Sequence, residues 1–381
     1  MCGIAGEVNF KNKPDPSVIN AMSRTLTPRG PDADGIVTDG FACLAHRRLI
    51  VIDPENGAQP MSEGDCTLIY NGELYNTEEL RAELTKRGVK FFGHSDTEVV
   101  LRSFIEFGER CVEMFNGIFA FAVWNKRTHK LFLARDRIGV KPLFYAETDG
   151  GIVFASEIKA LLCHPKIEPV VTGEGAAQIM LMGPARMAGN GVFRDIREIP
   201  AAHCAFFDES GLRIRRYWYL NAALHTETFD ETTVHLRELI FDAVKRQLVS
   251  DVGLCTFLSG GLDGSIISAI AAREFEKRGD VLNTYSIDYR GNRENFRASS
   301  FQPDEDAPYV AEMAEYLHTN HHNVILDTPA LAEALNDAVY ARDLPGMADV
   351  DSSLWLFCRE IKKDFSVALS GECADETEHV C

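Results

Sequence analysis

The feature that most constrains the fold is a change in the spacing of apolar residues near the middle of the chain. In the first half, short alternating or apolar runs predict β-strands at residues 66–70, 117–124, 130–134 and 151–155. Apolar residues at helical spacing predict helices at residues 77–86 and 97–107. The first half therefore indicates an α+β domain.

From about residue 232 onward, strands and helices alternate. The pattern predicts strands at residues 252–258, 282–288, 323–326 and 366–369, and helices at residues 232–248, 263–276, 307–317, 330–341 and 352–362. This order favours an α/β fold with a parallel, doubly wound sheet. Ligands of such sheets bind beyond the carboxyl ends of the strands, so we expect the loops at 259–265 and 370–376 to share one rim.

The length of 381 residues, 45% of them hydrophobic, is enough for two domains with separate cores. We predict a first domain over residues 2–210 and a second over residues 230–381, with a linker at about 201–229. The formal net charge of −18 argues against nucleic acid or anionic lipid as a partner. No stretch approaches the roughly 20 apolar residues of a membrane span, and the start lacks a secretory pattern. The ten cysteines form no C-x-x-C pair, which is typical of reduced thiols and predicts a cytoplasmic protein.

Cys2 is the candidate nucleophile because it follows the initiator methionine directly. Removal of Met1 would place a thiol and an α-amino group on one residue. The amine, with a reference pKa of roughly 7.7 to 8.0, can then act as the general base for the thiol. The alternative is a cysteine that follows methionine by chance.

Three further positions offer groups that an amide-cleaving thiol requires. Arg48 presents a planar fork suited to a carboxylate, although a surface ion pair is the alternative. Asn71 and Gly72 can donate a side-chain amide and a backbone N–H to an oxyanion, although an Asn-Gly pair is also common in hairpin turns. Asp96 can hold an ammonium group or belong to an ordinary helix cap.

The order of these segments resembles that of the class II glutamine amidotransferases, which carry an N-terminal nucleophile glutaminase domain. The segments are CGI at 2–4, RGPD at 29–32, HRRL at 46–49, NGELYN at 71–76 and SDTE at 95–98. The resemblance extends to NGIFAF at 116–121, ARDR at 134–137 and GVKPL at 139–143. It implies an N-terminal nucleophile hydrolase sandwich over the first domain.

The resemblance also implies a role for each matching residue. Cys2 would attack the side-chain amide of glutamine, with an oxyanion hole at Asn71 and Gly72 and the α-carboxylate held by Arg48. The other positions implied to line the glutamine pocket are Leu49, Ile50, Val51, Ile52, Glu73 and Asp96. Glutamate would be released, and the ammonia would pass to a second site.

The loop Ser259-Gly260-Gly261-Leu262-Asp263 follows an apolar strand and begins a helix. Its backbone N–H groups can therefore cradle an anion, although a tight strand-to-helix turn is the alternative. The motif resembles the pyrophosphate loop of ATP pyrophosphatases. Together with the amidotransferase segments, it resembles the glutamine-hydrolysing asparagine synthetases.

That family implies that glutamine, aspartate and ATP give glutamate, asparagine, AMP and diphosphate through a β-aspartyl adenylate. Magnesium would bridge the phosphates, and a homodimer is compatible with the resemblance. The positions implied to bind ATP are Leu258, Ser259, Gly260, Gly261, Asp263, Ile287, Ser370 and Gly371. Glu372 matches a position for adenylate formation, and Asp263 and Asp375 match carboxylates near the magnesium pyrophosphate.

Two departures from the family pattern lead to an alternative function. Relatives have serine directly after the loop aspartate, where this chain has Gly264, and the Ser265 side chain is turned about 100° away along a helix. Relatives also continue beyond Glu376 into a further helical section, so we expect a C-terminally incomplete synthetase domain. The alternative is therefore a glutaminase whose synthetase half is inactive, and a third hypothesis is a non-catalytic binding partner.

Overall fold

The computed structural model describes residues 1–299 and 303–372. The chain divides into two units: Met1–Ala223 with Asp343–Pro345, and Leu224–Arg342 with Gly346–Cys381. None of the helices within the described ranges combines the length and the apolar character that crossing a membrane requires.

The first unit contains two six-stranded antiparallel sheets. Its strands are β1 (Gly3–Asn9), β2 (Ala33–Asp39), β3 (Ala42–Arg48), β4 (Met61–Glu63), β5 (Cys66–Leu74), β6 (Gly117–Asn125), β7 (Lys130–Arg135), β8 (Phe144–Thr148), β9 (Gly151–Ala155), β10 (Arg197–Glu198), β11 (His203–Asp208) and β12 (Gly211–Arg216). The strand order is β10-β8-β9-β1-β3-β2 in one sheet and β12-β11-β7-β6-β5-β4 in the other. Every strand pair recorded in these sheets is antiparallel.

The helices of this unit lie outside the paired sheets. They are α1 (Pro16–Thr25), α2 (Thr77–Lys86), α3 (Asp96–Phe107), α4 (Cys111–Met114), α5 (Ile158–Leu161) and α6 (Gly173–Met182), with a 3-10 turn at Gly108–Arg110. One core cluster joins residues of both sheets, including Ile4, Leu44 and Ile69. Separate clusters pack α2 and α3 on the outer face of the second sheet, and α1 and α5 on the outer face of the first. The unit is therefore an αββα sandwich, as the resemblance to N-terminal nucleophile hydrolases implied.

Strand β5 shows why its sequence is an apolar run and not a simple alternation. Successive side chains of a strand point to opposite faces of the sheet. Ile69 packs in the core between the sheets, whereas Leu68 and Tyr70 pack beneath the helices. Both faces of the strand are covered, so both require apolar groups.

The second unit contains one parallel sheet. Its strands are β13 (Leu254–Phe257), β14 (Asn283–Tyr289), β15 (Asn320–Leu326) and β16 (Val367–Leu369), in the order β15-β14-β13-β16. Its helices are α7 (Phe229–Arg246), α8 (Leu262–Arg278), α9 (Asn292–Asn295), α10 (Asp306–Leu317), α11 (Thr328–Arg342) and α12 (Ala348–Ile361).

Helices cover both faces of this sheet. Leu254 packs in a cluster with Ala271 of α8, and the next residue, Cys255, packs with Phe357 of α12. The chain runs from β13 through β14 to β15 and then returns to β16 on the other side of β13, which creates a topological switch point. The predicted parallel, doubly wound sheet is confirmed.

The predicted linker is wrong in its first half. Residues 203–216 form the hairpin of β11 and β12, and β11 pairs with β7 of the first unit. The polar turn Glu209-Ser210-Gly211 gave this segment the composition of a connection. A turn within a hairpin and a domain linker share that composition, and only the pairing distinguishes them.

Candidate active site

Cys2 lies beside the residue that follows strand β3. Strand β1 pairs with β3 so that Gly3 is opposite Arg47, which brings the chain start next to Leu49. The Leu49 N–H lies 3.4 Å from Cys2 Sγ, and the thiol lies 3.6 Å from the Leu49 carbonyl. Burial raises the pKa of the Cys2 thiol, although the Leu49 bond and the chain's amino group act in the opposite direction. The thiol is therefore neutral near neutral pH and requires a base to become a nucleophile.

Arg29 holds the backbone of Cys2. The sequence alone did not identify Arg29 as a site residue. Its Nε donates to the Cys2 carbonyl at 2.9 Å, and its Nη1 donates to Glu157 Oε1 at 2.9 Å. The neighbouring Gly30 is required because a Cβ there would lie 2.3 Å from the Arg47 carbonyl. The only sign of Arg29 in the sequence was the RGPD segment at residues 29–32, which belongs to the family resemblance.

Asn71 and Gly72 lie within strand β5, opposite Ala120 and Phe119, so they do not form a hairpin turn. Asn71 is buried, and its Nδ2 has no hydrogen-bond acceptor among the described residues. A buried donor without an acceptor costs about 1 to 3 kcal/mol. Such a group is expected where an acceptor arrives with the substrate. A Cβ at Gly72 would lie 2.5 Å from the Ile118 carbonyl, so only glycine fits.

Asp96 is the first residue of α3, but it does not cap that helix. The cap is Ser95, whose hydroxyl accepts from the Thr97 N–H at 3.0 Å. Asp96 is buried, and its Oδ2 accepts from the Tyr70 hydroxyl at 2.9 Å and from the Leu74 N–H at 3.2 Å. Burial raises the pKa of Asp96 to about 6, the Tyr70 bond opposes this, and nearby Glu73 raises the pKa further.

Glu73 and Lys141 carry the other charges that interact with Cys2 and Asp96. Burial raises the pKa of Glu73, while the Lys141 ammonium and the chain's amino group lower it. Burial lowers the pKa of Lys141, and the Glu73 carboxylate opposes that effect. The sequence indicated Lys141 only as part of the GVKPL segment.

Lys141 is held in place by a turn that folds around the carboxylate of Asp136. Asp136 accepts from the N–H groups of Ile138, Val140 and Lys141 at 3.2, 2.9 and 2.9 Å. Arg135 Nε donates to the Lys141 carbonyl at 2.8 Å. The ARDR segment therefore has a structural task, which is to build the turn that carries Lys141.

Arg48 does not form the surface ion pair considered as its alternative. The residue is buried, and its guanidinium donates to the carbonyls of Ile52, Asp53 and Pro54 at 3.1, 2.6 and 3.1 Å. These contacts use three of the five N–H groups of a guanidinium. Arg48 closes the turn that contains the predicted pocket residues Val51 and Ile52. Of the predicted residues after Arg48, Leu49 contacts Cys2, whereas the Ile50 N–H donates to Asp32 at 2.8 Å.

In the second unit, the loop after β13 leads directly into α8. Gly260 has a φ of +83°, a conformation that favours glycine. Gly261 is the N-cap of α8 and provides no side-chain cap, so the first N–H groups of the helix remain able to bind an anion. The Ser265 hydroxyl donates to the Gly261 carbonyl at 2.7 Å. The Ser265 hydroxyl is therefore bonded to the helix backbone, and it does not replace the hydroxyl that is missing at position 264.

The loop after β16 meets this loop at the switch point. A Cβ at Gly371 would lie 2.7 Å from Asp263 Cβ and 2.9 Å from the Gly264 nitrogen. The prediction that the two loops share one rim is confirmed at Gly371. The Ser370 hydroxyl accepts from the Glu372 N–H at 3.1 Å. Ile287 lies on neighbouring β14, and the Leu258 N–H donates to the Tyr285 carbonyl at 2.8 Å.

Backbone N–H groups and glycines line a concave surface at the start of α8. This arrangement suits the phosphates of a nucleoside triphosphate. Asp263, which the sequence predicts to act near a magnesium ion, lies in the first turn of α8 beside Gly371. Asp375, its predicted partner, lies outside the described residues. Within residues 1–299 and 303–372, no group of three or more histidine, cysteine, aspartate or glutamate side chains is arranged to hold a metal ion.

The sequence of the chain matches two family models. The glutamine amidotransferase domain matches residues 1–218, and asparagine synthase matches residues 235–378. Glutamine-hydrolysing asparagine synthetase 3 of Bacillus subtilis (strain 168) is 52% identical over 99% of this chain. Glutamine-hydrolysing asparagine synthetase 1 of the same organism and the glutamine-hydrolysing asparagine synthetase of Zea mays are each 32% identical over 99% of this chain. The chain spans 62%, 58% and 59% of the length of these three relatives.

Among solved structures, the glutamine phosphoribosylpyrophosphate amidotransferase of B. subtilis in complex with ADP and GMP is similar with a TM-score of 0.47 and 15% identity. The similarity covers 85% of this chain and 90% of that one. The two family matches follow each other in the order of the two structural units. The chain therefore belongs to the proteins that join a glutamine amidotransferase domain to an asparagine synthase domain, the pair found in glutamine-hydrolysing asparagine synthetases.

Proposed function

We propose that this chain hydrolyses glutamine at Cys2 and supplies the ammonia to an ATP-dependent synthesis of asparagine from aspartate. One observation supports the hydrolysis of glutamine most directly. The Cys2 thiol contacts Leu49 and interacts electrostatically with Asp96 and Lys141. The nucleophile thus shares its site with a buried carboxylate suited to the α-ammonium of an amino acid. The family matches in both units support the two-step function over the glutaminase-only alternative.

In the glutaminase step, Cys2 Sγ attacks the side-chain amide carbon of glutamine. With Met1 removed, the α-amine of Cys2 accepts the thiol proton and returns it to the leaving nitrogen, which departs as ammonia. Asn71 Nδ2 and the Gly72 N–H stabilise the oxyanion. Water then hydrolyses the thioester and releases glutamate. Glu73 and Asp96 hold the ammonium group of the substrate. Arg48 holds the α-carboxylate with the N–H groups that do not donate to the carbonyls of residues 52–54.

In the synthetase step, the β-carboxylate of aspartate attacks the α-phosphorus of ATP, and diphosphate leaves. Ammonia then attacks the β-aspartyl adenylate, which gives asparagine and AMP. The 259–263 loop and the N–H groups at the start of α8 bind the phosphates. Ser370 and Gly371 extend that cradle, and Glu372 acts at adenylate formation. Asp263, with Asp375 as predicted from the sequence, would hold magnesium, which neutralises phosphate charge.

The test is the release of glutamate from glutamine by the purified chain and by its Cys2→Ala variant. We expect the substitution to lower glutamate release about a thousandfold or more, because it removes the nucleophile. An unchanged rate in the variant would exclude Cys2 as the nucleophile.

A second assay adds aspartate and ATP and measures asparagine, AMP and diphosphate. Stoichiometric formation of the three products supports the complete proposal. Glutamate release with no asparagine would favour the glutaminase-only alternative instead, and neither product would favour a binding protein. The cytoplasmic location and the homodimer stay predictions, which cell fractionation and light scattering test.

A further inference from the structure

Tyr70 connects two parts of the proposed glutamine site. It lies in the middle of β5 and is only 2% exposed. Its hydroxyl donates to Asp96 Oδ2 at 2.9 Å. Its ring lies against Gly72, since a Cβ at Gly72 would lie 2.7 Å from Tyr70 Cε2. One side chain therefore contacts both the residue proposed to bind the ammonium and the residue proposed to stabilise the oxyanion.

The backbone of Tyr70 is also fixed on both sides. Its N–H donates to Gln59 Oε1 at 2.6 Å, and its carbonyl accepts from His46 Nε2 at 3.0 Å. Both partners are buried. The hydroxyl is therefore presented to Asp96 by a residue that has little freedom to move, which is the property expected of a group that orients another.

We propose that Tyr70 is a positioning residue for substrate specificity, which orients the Asp96 carboxylate to receive the α-ammonium of glutamine. The inference rests on the proposed role of Asp96 and adds the residue that sets its geometry. The bonds from Tyr70 and Leu74 both end on Oδ2, so neither occupies Oδ1.

Charged and titratable groups lie near Asp96 on several elements: strand β5, the chain start, helices α2 and α3, and the 53–56 turn. From β5 and the chain start, Glu73 and Cys2 interact with it. On α3 itself, Glu98 is paired with Arg102. From α2, Arg81 donates to the Ser95 carbonyl at 3.4 Å, and from the 53–56 turn the Asp53 carboxylate accepts from the Ser95 N–H at 3.1 Å.

Among the contacts of the described residues, neither Arg81 nor Arg102 donates a hydrogen bond to Asp96. The Tyr70 hydroxyl is therefore the side-chain group that donates to the Asp96 carboxylate. The hydroxyl stabilises the ionised carboxylate and lowers the pKa of Asp96 against the effects of burial and of Glu73. Removal of the hydroxyl should therefore raise the pKa of Asp96 above about 6.

The test is Tyr70→Phe, which removes the hydroxyl and keeps the ring against Gly72. Glutamine hydrolysis is measured across a pH series. We expect a roughly tenfold higher KM near pH 7.5, a kcat within about twofold of the original, and an acid limb of kcat/KM that moves up by about one pH unit. A fall in thermal stability with KM and pH profile unchanged would overturn the proposal, because it would mean a purely structural role.

Glutaramate, which is glutamine without its α-amino group, shows whether the effect acts through the ammonium. Its inhibition constant against glutamine hydrolysis should be the same for the original chain and for Tyr70→Phe. An increase equal to that of the glutamine KM would overturn the proposal, since the hydroxyl would then act on another part of the substrate.

Two further variants separate this inference from the function it rests on. Tyr217→Phe removes another hydroxyl of the same unit, which donates to the Arg135 carbonyl at 2.7 Å, and should leave the glutamine KM unchanged. Asp96→Asn should raise that KM by more than Tyr70→Phe does. A raised KM in Asp96→Asn with no change in Tyr70→Phe overturns the role of Tyr70 alone. An unchanged KM in Asp96→Asn overturns the ammonium site itself.

Discussion

Several residues of the proposed glutamine site are arranged at a cost to folding. Asp96 is a buried carboxylate with a raised pKa, and the Asn71 amide is a buried donor without an acceptor in the described part of the chain. His46 is buried beside them on β3, and burial lowers its pKa to about 3, so it stays neutral. Groups that a substrate will satisfy are the usual reason for such arrangements.

Asp96→Asn should stabilise the first unit while it weakens glutamine binding. A folded-state pKa of about 6 against 3.8 for the ordinary group means that the folded state binds the proton more tightly. The favourable contribution of this group is complete below its ordinary pKa and is lost as the pH rises through about 6. Near pH 7.5 the ionised carboxyl therefore costs about 2 to 3 kcal/mol, and near pH 5 it costs less.

Urea unfolding at the two pH values measures the difference. The variant should gain stability over the original chain near pH 7.5, with a smaller gain near pH 5. An equal gain at both pH values would show that the pKa of Asp96 is not raised in the folded state.

Gly264→Ser should tighten the binding of ATP. A Cβ at Gly264 would lie 3.1 Å from the Phe257 carbonyl and 3.6 Å from the Ser259 nitrogen, so a small shift accommodates the side chain beside the loop. A hydroxyl that reaches a phosphate should strengthen binding about tenfold or more. Calorimetric titration with ATP measures the change.

Gly264→Ala is the matched control, because it adds the same Cβ without the hydroxyl. Equal affinities of the serine and alanine variants would mean that the backbone N–H groups alone bind the phosphates.

At the scale of elements, the nucleotide site is formed by two loops that the strand order brings together. The paired residues Leu254 of β13 and Val367 of β16 are 113 positions apart in the sequence, yet the two strands are neighbours in the sheet. The loops that follow them meet at Gly371 and Asp263. In the first unit, the pairing of β1 with β3 has the same effect, since it places Cys2 beside Leu49.

Gly371→Ala should weaken ATP binding by separating these two loops. Its Cβ would overlap Asp263 Cβ and the Gly264 nitrogen, both closer than 3.0 Å, so the start of α8 must move. We expect an affinity loss of about tenfold with the unit still folded. Titration with ATP and circular dichroism test both statements.

Gly279→Ala at the opposite end of α8 is the control. Gly279 has a φ of +81° and open space around its Cβ position, so alanine there should cost about 1 to 2 kcal/mol of stability. Its ATP affinity should not change. A similar affinity loss in both variants would point to a general weakening of the helix.

At the scale of the whole molecule, the two units carry separate chemistry. The residues proposed to hydrolyse glutamine lie in Met1–Ala223, and those proposed to bind ATP lie in the second unit. Each half-reaction should therefore respond to substitutions in its own unit.

Cys2→Ala should remove the synthesis of asparagine from glutamine and leave its synthesis from ammonium salts. Free ammonia supplies the nitrogen directly, so the thiol is not needed for that reaction. The measurement compares asparagine formed from each nitrogen source by the original chain and the variant. Loss of both activities in a variant that is still folded would contradict the separation of the two sites.

The sequence by itself determined the alternation of strands and helices in the second unit, the parallel sheet that it forms and the two motifs that mark the proposed sites. Periodicity is local, because the spacing of apolar residues over about ten positions decides between helix and strand. Cys2 and the 259–263 loop are also contiguous in sequence, so a resemblance could identify them. Composition failed at the hairpin of β11 and β12, since turn residues look alike in linkers and in sheets.

Only the tertiary structure decided how the side chains are used. Tyr70 and Asp96 are 26 residues apart, and Arg29 is 27 residues from the carbonyl that it holds at Cys2. Arg48 forms contacts with its own turn instead of a surface ion pair, and Ser265 bonds its own helix. Such contacts depend on strand register and on burial, which raise the pKa of Asp96 and leave the Asn71 amide unpaired within the described residues. Neither register nor burial is written in the spacing of residue types, so these parts of the site required the folded chain.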